Sequence, residues 1–194
     1  MYKAPLKSLA LGVAAALALV GMAASASAQS DTVEVSATLR QAVTVTTQTD
    51  VSFGYVDVNL SGSGSLTLNP DGSFSTSGSD ITSAGTGSIT AGQIDLTGAN
   101  GVNIDVSCSA ATVANASAET IAVPTNVANG AAASGTACSG VGSTAITVSL
   151  TGGTTSLFMG ATLALENMGS VTTTGAFSST NSGGAASTVE AVYQ

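Results

Sequence analysis

The chain has 194 residues, no histidine, and three basic residues against eleven acidic ones, a formal net charge of −8. Without imidazole, and with lysine only at Lys3 and Lys7, the chain past its first 28 residues lacks the usual general base, Schiff-base amine and imidazole metal ligand. Its acidity also sets it against nucleic acid phosphates and anionic membrane surfaces, so neither is an expected partner.

The N-terminus reads as a secretory signal peptide over residues 1–28. Lys3 and Lys7 precede the apolar run from Leu9 to Val20, and Ala26-Ser27-Ala28 supplies a small-residue cleavage motif. About twelve apolar residues fall short of the about 20 that a membrane-spanning helix needs. No membrane span is therefore expected once the signal is removed. Residues 29–194 then form one domain's worth of chain, with Arg40 as the single cation and a formal charge of −10. A trypsin-class protease has one bond to attack in it. Cys108 and Cys138 are the only cysteines. In an oxidising compartment they are expected to form a disulfide.

From residue 33 the chain alternates. Val33, Val35, Ala37 and Leu39 share one parity, continued by Val43 and Val45, with Glu34, Ser36, Thr38 and Arg40 between them. This is the pattern of a half-buried strand. Further strands are expected over residues 51–53, 55–60, 65–68, 93–97, 102–108, 120–123, 145–150, 161–166 and 187–193. Turn signals separate them, among them Asn69-Pro70-Asp71-Gly72 and Gly98-Ala99-Asn100-Gly101. Residues 110–142 and 169–186, rich in small and polar side chains, read as long loops. No segment of the exported chain carries a helical stripe. With no Trp and few Phe or Tyr, the core must be built from Val, Ile, Leu and Ala. The expected fold is all-β, an antiparallel sandwich.

Chemistry-bearing patterns are sparse. Serine is abundant but has no His or Lys to activate it. Asp95 and Asp105, on neighbouring expected strands, are the nearest thing to a carboxylate pair, and strand-face solvation explains them better. Asp71 lies in a turn that lacks the several carboxylates of a calcium loop. The sequons at Asn59 and Asn115 have meaning only in a glycosylating host. No catalytic, cofactor-binding or metal-ligating residue is assigned, no cofactor is expected, and the chain is not expected to be an enzyme.

The order of several motifs resembles the bacterial domain-of-unknown-function 4402 family. These are Leu39-Arg40-Gln41-Ala42-Val43-Thr44-Val45, then Val51-Ser52-Phe53-Gly54-Tyr55, then residues 66–72 and 94–104. Phe158-Met159-Gly160-Ala161-Thr162-Leu163 and the closing Val189-Glu190-Ala191-Val192-Tyr193-Gln194 complete the likeness. The resemblance implies an exported immunoglobulin-like or pilin-like β-sandwich, similar to spore-coat-U-type and fimbrial subunits. It would lie in the periplasm, at the cell surface or in an extracellular fibre of a Gram-negative-type bacterium. The implied partners are copies of the chain itself, a periplasmic chaperone and an outer-membrane usher. On this reading residues 31–39, with Val33, Val35, Ala37 and Leu39, form a donor strand, and Val189, Ala191 and Tyr193 form the chaperone-contact strand. Both segments serve equally well as ordinary strands of a self-complete domain. The alternative function is a monomeric periplasmic or secreted binding module that makes contacts through its loops.

Overall fold

The computed structural model describes residues 34, 36–59, 63–164 and 171–194, with backbone alone for residues 82–86. The expected signal peptide, and Val33 and Val35 of the expected donor segment, lie outside the described residues. The chain divides into two units, Met1–Thr38 and Leu39–Gln194. The described residues of the first are exposed and outside any strand.

The second unit is all-β and antiparallel. Its strands in chain order are β1 (Thr44–Thr49), β2 (Ser52–Val58), β3 (Ser65–Leu68), β4 (Phe74–Ser77), β5 (Ile81–Thr90), β6 (Gly92–Thr97) and β7 (Asn103–Cys108). Then follow β8 (Ala111–Ala114), β9 (Thr120–Val123), β10 (Thr125–Asn129), β11 (Thr136–Ala137), β12 (Thr144–Ser149), β13 (Thr154–Ala164) and β14 (Val189–Tyr193). Among the described residues, one sheet runs β1-β6-β13-β10-β11, and a second runs β12-β7-β14. Strand β13 organises the first sheet. Its residues 154–159 pair with β6, 161–164 with β3, and 157–161 with β10. Since a strand has two edges, β6 and β3 follow one another along one edge and β10 takes the other. Strand β4 continues outward from β3.

The two sheets face each other across one core, which makes the unit a sandwich. Ile94 and Leu96 of β6, Leu157 and Met159 of β13, and Val127 of β10 meet Ile104, Val106 and Cys108 of β7, with Val148 and Leu150. Each set is the inward half of a period-2 alternation, as in β6, where buried and half-buried residues alternate over the whole strand. The core is aliphatic, as the composition requires. A smaller cluster forms around Ile121 and Val171, joined by Val58, Ile81, Val113, Leu163 and Phe177.

The disulfide joins the sheets. Cys108 ends β7 and Cys138 directly follows β11, with Cα atoms 4.9 Å apart and 30 residues between them in sequence. The Asn69–Gly72 turn links β3 to β4, closed by the Gly72 amide donating to the Asn69 carbonyl at 2.9 Å. Gly72 holds φ +81°, a conformation open to glycine at little cost.

Two expectations are corrected. Residues 110–142 are not a loop, because they contain β8, β9, β10 and β11. Ile121, Val123, Thr125 and Val127 are buried on one parity, and Pro124 divides that run into two strands without changing its face. Residues 36–43 form no strand despite their alternation. Pairing of β1 ends at Thr44 opposite Thr97, where β6 itself ends, so among the described residues the preceding ones have no strand to pair with.

Candidate assembly surface

Strand β14 sits at the edge of the three-stranded sheet and, among the described residues, pairs only with β7. Its period-2 pattern turns Val189, Ala191 and Tyr193 toward the core, where they pack as half-buried side chains. Glu190 and Val192 face outward, and Val192 is 60% exposed. The three residues proposed for chaperone contact therefore line the inner face of an edge strand and cover the core incompletely.

The Tyr193 hydroxyl fastens this edge to the start of the unit. It donates to the Gln41 carbonyl at 2.6 Å and accepts from the Ala99 amide at 2.6 Å. The phenol passes so close to Gly98 that a β-carbon there would lie 2.5 Å from the hydroxyl oxygen and 2.9 Å from Leu150 Cδ1. The Gly98-Ala99-Asn100-Gly101 turn thus does two jobs. It ends β6, and it leaves room for the tyrosine. Sequence reading found the turn and the inward parity of Tyr193, but no local signal links residue 193 to Gln41.

The segment proposed as a donor strand precedes Gln41 in the sequence. Ala37 and Leu39 are exposed and outside any strand, with Leu39 94% exposed, while Val33 and Val35 are outside the described residues. The strand that follows, β1, is an edge of the larger sheet and every residue in it is exposed. Thr44–Thr49 carries no charge and no proline, the devices that commonly blunt an open edge. A register shift between Thr47 and Thr49 is its one irregularity.

Asp95 and Asp105 do not form a carboxylate pair. Asp95 and Asp105 belong to different sheets and both point away from the core, onto opposite outer faces. The expectation that they lie on adjacent strands is corrected. Asp95 accepts from Ser156 at 2.7 Å, and Asp105 from Thr147 at 2.6 Å and the Gln194 amide at 2.9 Å. A shallow depression of about 80 Å³ beside Asp105, lined also by Glu190 and Thr144, is well below the ~300 Å³ at which ligand pockets begin.

Glu119 holds a structural junction. One carboxylate oxygen accepts from the Thr172 amide at 2.9 Å and its hydroxyl at 2.7 Å, and the other accepts from Thr173 and Asn115. The Thr173 hydroxyl first, then Thr172 and Asn115, hold its carboxyl down to about 2. This clamp was not read from the sequence, since Thr172 and Thr173 lie more than 50 residues from Glu119. Asn115 is 4% exposed and its side-chain amide is engaged on both atoms, which withdraws that sequon from a glycosylating enzyme in the folded state. Asp71 accepts from the Ser73 hydroxyl and amide, which lower its pKa in that order of importance.

No family model, curated protein or solved structure matches the chain. The likeness to the domain-of-unknown-function 4402 family rests on the sequence motifs alone.

Proposed function

We propose that this chain is an exported, non-catalytic structural protein, a pilin-like subunit of a surface fibre. Residues 31–39 of one copy add as a strand to the open edge of the next. Supporting this reading above all is that Glu34 and residues 36–39 are exposed and outside any strand, Leu39 being 94% exposed, and that the sandwich has open edges. An apolar side chain so exposed at the end of an alternating segment suits a strand that finds its partner on another molecule. At β14, an added strand would cover the half-buried Val189, Ala191 and Tyr193. The disulfide between the sheets would brace each subunit. Before assembly, a periplasmic chaperone would occupy the β14 edge, and an outer-membrane usher would receive the subunit.

The test is electrophoresis of surface preparations without boiling. A ladder of SDS-resistant, heat-labile bands is expected, and deletion of residues 31–39 should collapse it to the monomer. A single monomer band in the intact protein, with stability indifferent to the deletion, would favour the monomeric binding module instead.

A further inference from the structure

We infer that the Arg40–Gln41 bond is a built-in processing site at which a trypsin-class endoprotease detaches the N-terminal arm and leaves the β-unit folded. Three observations converge on that bond. Arg40 is the only Lys or Arg beyond residue 7, so a protease with an acidic specificity pocket has a single bond to choose past the signal. Residues 36–42 are all exposed and none belongs to a strand. Proteases bind several residues around the scissile bond in extended form, and here that conformation requires no strand to be pulled from a sheet. The third observation is where the compact unit begins and how it is fastened. It starts at Leu39, so the cut removes only Leu39 and Arg40 from it, and the Tyr193 hydroxyl grips the carbonyl of Gln41, the residue that remains with the body after the cut. Cleavage therefore falls outside the clasp.

The chemistry needs only water and the enzyme. Water adds across the amide, the C–N bond breaks, Arg40 leaves with a new carboxylate, and Gln41 keeps the amine and takes up a proton. The product, residues 41–194, contains no Lys, Arg or His and is closed to further attack by the same enzyme class. If the arm is the donor strand, which rests on the fibre reading, every link between subunits passes through Arg40 and the same enzyme dismantles the fibre.

The experiment digests purified, exported monomer with trypsin, against a free peptide of residues 36–45 under the same conditions. One cut is expected, identified by intact mass, and the product should melt where the uncut chain melts. A packed site is reached only through unfolding and is slowed by about 1,000-fold or more, so cleavage within about 30-fold of the peptide supports the inference and slower cleavage overturns it. A melting transition that falls after the cut also overturns it. The Arg40→Gln protein should fold alike and resist. The monomer result stands whether or not the chain polymerises, whereas loss of the ladder on digestion tests the fibre reading.

Discussion

At the scale of single residues, Tyr193 and Glu119 do most to connect distant parts of the chain. Tyr193→Phe removes a donor from the Gln41 carbonyl and an acceptor from the Ala99 amide, both neutral hydrogen bonds. It should cost about 1–2 kcal/mol in urea unfolding, the net worth of one to two such bonds. Gly98→Ala forces a methyl against the hydroxyl and Leu150, and should cost about 1–3 kcal/mol as overpacking. Combined, the two should lose less than the sum, because removing the hydroxyl opens one of the two obstacles; strict additivity in a double-mutant cycle would argue against the contact. Glu119 has a different signature. Its folded-state carboxyl is held down to about 2 from an ordinary 4.5, so its contribution is complete above pH 4.5 and is lost as pH falls toward 2. Glu119→Gln should therefore narrow the gap in melting temperature from wild type as pH drops through that window. At neutral pH the same variant should speed hydrogen exchange at the Thr172 amide, which donates to the carboxylate.

At the scale of elements, the disulfide carries the clearest prediction. It closes a 30-residue span and ties the central strand of one sheet to the edge of the other. Replacing both cysteines by alanine should cost about 3.5 kcal/mol by loop entropy, read as a lower urea midpoint. A loss near zero would mean that the span is already confined without it. That bridge was expected from two cysteines and an N-terminus that reads as an export signal, and strands β3, β6, β7, β9, β12 and β14 were legible from apolar runs bounded by Gly and Pro. Other elements were not, for physical reasons. Strands β4 and β5 are Ser, Thr and Gly pieces with little apolar alternation, and they exist because β3 and β2 present partners. Strand β10 is hidden behind Pro124, which marks a break to a local reading although burial keeps its parity across it. Residues 36–43 fail in the opposite sense. Their alternation is strand-like, but β6 stops at Thr97 and, among the described residues, leaves no strand to pair with. Pattern fixes which face a residue would take, and only the neighbour decides whether a strand forms. The candidate assembly surface divides the same way: its two segments were visible from periodicity, while the Tyr193 clasp spans 152 residues and was not.

For the whole molecule, the scarcity of cations governs how stability responds to salt. The described residues include one basic side chain, Arg40, so at most one side-chain ion pair can form among them, and the carboxylates act on one another mainly by repulsion. They are spread over both outer faces, Asp95 on one sheet and Asp105 and Glu190 on the other. Folding gathers these like charges into a smaller volume, which opposes the compact state. Added salt shortens the range of that repulsion to about 10 Å at 0.1 M. Raising NaCl from about 0.01 to 0.15 M at pH 7 should therefore raise the melting temperature, by about 2–4 °C if roughly 1 kcal/mol of repulsion is relieved. Proteins held by surface ion pairs respond in the opposite direction. Glu119, held down to about 2, keeps its share of that charge well into the acid range. A melting temperature that falls with NaCl at pH 7 would show that attractive charge contacts outweigh the repulsion. In that case the acidic composition would have to be read as stabilising a bound counter-charge in place of a free surface.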